Sequence, residues 1–190
     1  MIDMIEIKVR EKLEGHAKRL AHVLGVSNTA AKLAEIYDIS IEKARIAGLY
    51  HDYAKHDKLE DQMNMMDLRW IKAYADYPVI YHAIAAANML EHEFRIHDQD
   101  ILNAIRYHVW GRKEMSLLEK IIFVADSCEP NRKYDDTGYI FELATKDIDQ
   151  AVEYCMLQSI EDVKNKGLIP ADEQLEAYQY YVEVNRGKTK

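Results

Sequence analysis

Three adjacent His-Asp pairs stand out: His51-Asp52 and His56-Asp57 in "GLYHDYAKHDK", and His97-Asp98 in "FRIHDQD". A neutral imidazole nitrogen beside a carboxylate can seat a divalent metal. With 8 His and 16 Asp in 190 residues, roughly 0.7 such pairs arise by chance, so the dipeptide alone selects none of the three. The choice depends on where each pair falls on its helix.

Helices are the elements that must position these residues. Only 7 Gly and 3 Pro interrupt the chain, strand-like alternation is scarce, and apolar residues recur at helical spacing. His22, Val26, Ala30 and Leu33 share one face of "HVLGVSNTAAKLAEIY". "SIEKARIAGLYHDYAK" has Ser40 as its N-cap, without an acidic residue at Lys43, and a stripe of Ile41, Ala44, Ala47 or Gly48, and His51. After Pro78, Val79, His82, Ala86 and Met89 fall together. "DQDILNAIRYHVWG" places Ile101, Ile105 and His108 on one face and stops near Gly111. "SLLEKIIFVADSCEP" aligns Leu118, Ile122 and Asp126 and must end before Pro130. Two further helices span "DIDQAVEYCMLQSIEDVKNKG" and "ADEQLEAYQYYVEVN". The pattern predicts one all-α domain over residues 1–190, with no linker or repeat.

His22, His51, His82 and His108 therefore each occupy the apolar stripe of a different helix, and Asp126 does so on a fifth. A single buried histidine is ordinary, but a buried carboxylate is costly without an opposite charge. A metal centre accounts for all five, with the cation compensating Asp52 and Asp126. The other histidines read as structural. His56-Asp57 opens the charged "KHDKLEDQ", His92 lies among charges, Asp98 serves as a helix cap, and His16 has no partner at useful spacing.

The composition narrows the function classes. The hydrophobic content of 48% with mixed charges fits a globular chain able to bury a core without disulfides. No apolar run approaches the roughly 20 residues that cross a bilayer, and the charged start lacks a signal-peptide core. Cys128 and Cys155 read as free thiols in a reducing cytoplasm. A net charge of −8 argues against a nucleic-acid binder, but not against a small anion in a locally basic pocket.

The order His22, His51-Asp52, His82, His108, Asp126 resembles the HD-domain metal-dependent phosphohydrolases. More narrowly, "RLAHVLGV", "LYHDYAK", "PVIYHA", "IRYHVWGRKEMSLLEKIIFVADSCEPNR" and "AVEYCMLQSI" are similar to the YqeK-type HD hydrolases, which split diadenosine tetraphosphate symmetrically into two ADP. The similarity runs from Arg19 to Ile160. It implies a single HD-domain helical bundle in which His22, His51, Asp52 and Asp126 hold the firmly bound metal, iron first among the expectations. His82 and His108 then line the open side, toward substrate phosphate or a second metal bridged by Asp52. The family usually carries Thr after the His of its His-Thr-x-Gly run. Here Val109 stands there, so any contact at that position must come from backbone.

The linkage to be broken would be a phosphoanhydride, attacked by metal-activated water. Asp52, His82, His108 and Lys55 form the expected catalytic group. Lys55 lies one turn beyond Asp52, Arg19 about one turn before His22, Arg112 after the His108 helix, and Arg132 with Lys133 after the Asp126 helix. Of these phosphate contacts, Lys55 and Arg132 are the stronger expectations. Manganese, cobalt, nickel and zinc suit the same ligands, in one or two ions. The expected partner is a small dinucleoside polyphosphate or nucleotide, with a homodimer as a further expectation. Alternatives are the same fold acting on another nucleotide, a di-iron oxygenase, or a metal-stabilised interaction module without catalysis.

Overall fold

The computed structural model describes residues 1–132 and 136–188, so Lys133 lies outside the described residues. The chain winds through α1 (Ile2–Lys12), α2 (Ala17–Ile36), α3 (Ile41–Tyr50), α4 (Leu59–Asn64), α5 (Leu68–Ala73) and a 3-10 turn at Pro78–Ile80. It continues through α6 (Tyr81–Phe94), α7 (Gln99–Arg106), α8 (Leu117–Cys128), α9 (Thr137–Lys146), α10 (Ile148–Asn165) and α11 (Asp172–Lys188). No strand occurs among the described residues, and the fold is all-α as expected.

Local chemistry sets the helix ends. Ser40 Oγ accepts from Lys43 N at 3.3 Å, a cap without a reciprocal acid. Asp98 caps α7 by accepting from the Asp100 amide, as its sequence position predicts. Ser116 and Glu119 form a full capping box at the start of α8. The α8 helix then stops at Cys128, two residues before Pro130.

One core cluster runs from Ile5 and Val9 on α1, through the apolar faces of α2, α3, α6, α7 and α8, to Ala177 and Tyr181 on α11. The α2 helix packs along α3 and α8, and α7 packs between α6 and α8. At the α2–α3 contact, a Cβ added to Gly48 would meet Ser27 Cα at 2.7 Å. Only glycine allows the two backbones to approach so closely.

Three expectations need correction. Ile41 and Val79 are exposed, at 43% and 54%, although their spacing aligned them with buried partners. Val79 lies in the 3-10 turn rather than in α6, so the 3.6-residue period does not carry through it. His16 also has a partner that its sequence neighbours do not reveal: its ring stacks on His56 with centroids 4.1 Å apart.

Candidate metal centre

The inward stripes of five helices converge on one point. His22 comes from the second turn of α2, and His51 and Asp52 from the end of α3. His82 lies in the first turn of α6, His108 two residues past α7, and Asp126 in the last turn of α8. His22, His51, Asp52, His82 and His108 are all buried, while Asp126 keeps 20% of its side chain exposed. Three overlapping groups can each gather around an ion: His22-His51-Asp52, His51-His108-Asp126 and Asp52-His82-His108. Within each group the ligand atoms lie within 4.8 Å of one another.

The outward nitrogens of three rings define which face is free. His51 Nδ1 lies 2.8 Å from Gly48 O, and His108 Nδ1 lies 2.7 Å from Ile105 O. A carbonyl only accepts, so both Nδ1 atoms donate and both Nε2 atoms face inward as the available ligand atoms. His22 Nδ1 likewise faces Glu129 Oε1 at 3.0 Å. These inward Nε2 atoms crowd together: His22 and His51 are 3.3 Å apart, and His82 and His108 are 3.4 Å apart.

Carboxylates close the cluster. His22 Nε2 is 3.0 Å from Asp126 Oδ1 and 3.7 Å from Asp52 Oδ2. Asp52 Oδ1 points the other way, 3.1 Å from His82 Nε2 and 3.6 Å from His108 Nε2, and it is a buried oxygen without a hydrogen-bond partner. Four inward imidazole nitrogens crowded around a buried carboxylate oxygen without a hydrogen-bond partner are unfavourable unless a cation lies between them. The residues therefore fit a divalent metal, and Asp52 has one oxygen on each side of the cluster.

The electrostatics agree with ligand chemistry. Burial pushes His51 down to about 3 and His82 down to about 4, against the opposing pull of Asp52, so both rings are neutral. Burial opposes the charge of Asp52, yet His51, His108 and His82 hold its pKa well below the usual carboxylate range. Asp126 is lowered too, with His22, His51 and Arg132 outweighing its desolvation. His22 moves upward because Asp126 and Glu129 outweigh its burial.

Cations ring the centre. Arg19 Nη1 donates to Asp52 Oδ2, and Arg132 Nη2 lies 2.6 Å from Asp126 Oδ1. Lys55 Nζ donates to His82 Nε2 at 3.2 Å and lies 4.0 Å from Asp52 Oδ1. Loss of water, reinforced by Arg19 and Arg132, lowers the Lys55 pKa despite the pull of Asp52. Three expected phosphate contacts are thus already beside the cluster.

Arg112 is engaged elsewhere. Its guanidinium forks onto Glu119 at 2.6 and 2.7 Å and covers the Tyr107 ring at 5.0 Å. Glu119 is buried and belongs to the α8 capping box, which explains why it holds the arginine. Val109 lines the wall between that aromatic region and the space beside His108. His56 stays outside the cluster, and Asp57 pairs with Lys12 at 2.6 Å.

Glu129 was not anticipated. Only 1% exposed, it orients His22 with Oε1, while its Oε2 accepts from the Asn131 backbone and side-chain nitrogens at 2.7 and 2.8 Å. A carboxylate on the outer nitrogen of a candidate ligand fixes its tautomer and raises its basicity. The carboxylate fits because residue 25 on α2 is glycine: an added Cβ would meet Glu129 Oε2 at 2.1 Å. Glu129 lies just past α8, where helical periodicity carries no signal.

Residues 19–131 match the HD domain family. The chain is 38% identical over 170 residues to the symmetrical bis(5'-nucleosyl)-tetraphosphatase of Bacillus subtilis (strain 168), covering 85% of this chain and 88% of that protein. It is 39% identical over 139 residues to the protein of the same name from Staphylococcus aureus (strain NCTC 8325 / PS 47), covering 71% and 70%. A crystal structure of a predicted HD superfamily hydrolase from Clostridium acetobutylicum, described as involved in NAD metabolism, superposes with a TM-score of 0.85. That match has 34% identity and covers 96% of this chain and 97% of the other. With its His and Asp residues gathered at one point and these relatives spanning most of its length, the chain belongs to the HD-domain family, among the symmetrical bis(5'-nucleosyl)-tetraphosphatases.

Proposed function

We propose that the protein hydrolyses diadenosine tetraphosphate symmetrically to two ADP. The observation that carries this reading is the cluster itself, in which Asp52 has an unpartnered oxygen and faces four inward imidazoles beside Lys55, Arg19 and Arg132. Water adds to one of the two central phosphorus atoms, the bridging P–O bond to the other half breaks, and ADP leaves with that oxygen. The water proton passes to solvent.

His22, His51, Asp52 and Asp126 are the ligands in this reading, with His82 and His108 on the open side. Iron is the expected metal, as one or two ions. A bound divalent cation supplies Lewis acidity toward the phosphoryl oxygens and lowers the pKa of water. The remaining work falls to the chain. Arg132 and Lys55 neutralise the polyphosphate, Arg132 with a planar fork and Lys55 as a point charge. His82, kept neutral and touching Lys55 Nζ, directs that ammonium toward the open side. ADP is a fair leaving group, so positioning and charge outweigh acid catalysis.

We further read residues 1–190 as one hydrolase domain, which the continuous core from Ile5 to Tyr181 supports. No helix among the described residues is long and apolar enough to cross a membrane. Two buried free thiols, Cys128 and Cys155, are in keeping with a cytoplasmic placement.

The test is metal analysis of the purified protein, then product analysis on diadenosine tetraphosphate. ADP as sole product is expected; ATP with AMP, or no turnover by the metal-loaded protein, overturns the reading.

A further inference from the structure

Two separate cavities border the cluster, and their linings share no residue. One, of about 340 Å³, contains His82 and Lys55 and is walled by Leu59, Pro78 and Val79. The other, of about 170 Å³, contains His108, Asp126 and Arg132 and is walled by Gln158, Ser159 and Asp162 of α10. Each cavity thus joins one inward histidine to one cation. The two histidines meet at Asp52 Oδ1, with their Nε2 atoms 3.4 Å apart.

This doubling matches the demands of a symmetric substrate. A bond broken at the middle of a tetraphosphate has a nucleoside diphosphate on each side of it. If the cluster lies at the scissile bond, each half needs its own cation and its own wall. The larger cavity offers an apolar wall: Leu59 and Val79 are exposed at 48% and 54%, which supplies apolar surface for a nucleobase to cover. The smaller cavity offers hydroxyl, amide and carboxylate groups instead.

A third cavity, of about 320 Å³, is aromatic, with Trp70, Tyr74, Tyr107 and Trp110 in its wall. Its lining also carries three cations, Arg106, Arg112 and Lys113, the last two paired with Glu119 and Glu176. None of the clustered His and Asp residues lines it, so it does not border the cluster as the other two cavities do.

We infer that the dinucleotide lies across the cluster with one nucleoside diphosphate arm in each bordering cavity, and that Leu59 and Val79 are specificity-determining residues for the nucleoside on the Lys55 side. The inference rests on the hydrolase reading above. It extends that reading by assigning the two arms to different surfaces and by predicting two product sites per chain.

The test uses the full chain loaded with its metal. ADP titrated to saturation is expected to bind at two per chain. The double variant Leu59→Ser, Val79→Ser changes only exposed side chains, so it is expected to fold normally. It should lose one of the two ADP sites and raise KM for diadenosine tetraphosphate about tenfold, with kcat within about twofold of the parent. Trp110→Leu, in the aromatic cavity, should leave stoichiometry and KM unchanged. One ADP per chain in the parent, or a KM that responds to Trp110→Leu and not to the double variant, overturns the inference while ADP production still stands. If diadenosine tetraphosphate yields no ADP at all, the hydrolase reading itself fails.

Discussion

Replacing Gly25 with alanine tests the centre from a residue that touches no candidate ligand. In an α-helix this change ordinarily stabilises, by about 0.5–1 kcal/mol. Here the new Cβ would lie 2.1 Å from Glu129 Oε2 and 2.8 Å from Asn131 Nδ2. Ordinary contact needs about 3.4 Å, so the carboxylate must withdraw by on the order of 1 Å. Its 3.0 Å contact with His22 Nδ1 is then lost. A hydrogen bond to a charged group is worth about 1.5–3 kcal/mol. At 1.4 kcal/mol per factor of ten, that corresponds to roughly 10- to 100-fold in metal affinity, the usual cost of losing an outer partner of a ligating histidine. Competition with a chromophoric chelator measures the affinity, and thermal unfolding in excess chelator reports the metal-free fold. Weakened metal binding is the expected pattern, together with lower metal-free stability, because the lost hydrogen bond outweighs the helix gain. Affinity within twofold of the parent would refute the role given to Glu129. Glu129→Gln should repeat the effect, because its amide would set a donor against the Asn131 donors at Oε2.

Asp52→Ala should abolish hydrolysis and lower metal content; undiminished metal in the purified variant would remove Asp52 from the centre. Arg132→Ala should raise KM for diadenosine tetraphosphate by about tenfold or more, whereas Arg112→Ala should act mainly on stability, since it leaves the buried Glu119 unpaired. A KM effect confined to Arg112→Ala would reverse that assignment. His56→Ala should leave turnover near the parent, with stability changed by about 0.5 kcal/mol or less as for exposed positions. A catalytic defect in the folded variant would mean that the second His-Asp pair takes part. The Cys128 and Cys155 thiols, pushed up to about 12 by burial, should resist alkylation at pH 8 in the native protein and react only on unfolding; rapid labelling of the folded chain would contradict their burial.

Helix faces were the most readable feature of the chain. The stripes through His22, His51, His82 and His108 predicted their burial because a face repeats over several turns, so each histidine is read against many neighbours. The isolated caps at Ser40 and Asp98 were legible for a similar reason, since capping depends on residues only two or three positions apart. Contacts between distant segments were not. Glu129 meets His22 across 107 residues, and no local pattern encodes that meeting. Arg112 looked available for phosphate because its partner Glu119 is assigned by the fold rather than by the spacing of its neighbours. The His16–His56 stack is another contact of that kind. Exposed Val79 shows the reverse error, a period extended past the point where the helix begins.

The contact at Gly48 has a bearing on how such a centre can diverge. His22 lies five residues before Ser27 on α2, and His51 follows Gly48 by three and donates to its carbonyl. The spacing of these two nitrogens is therefore inherited from a backbone-on-backbone contact rather than from the side chains around them. Descendants of this chain are free to vary the cavity walls, where Leu59, Val79 and Asp162 are exposed, and so to change what is bound. Altering the spacing of His22 and His51 would require moving an entire helix. A change in the cavity walls is local; a change at Gly48 shifts a helix and its histidine with it.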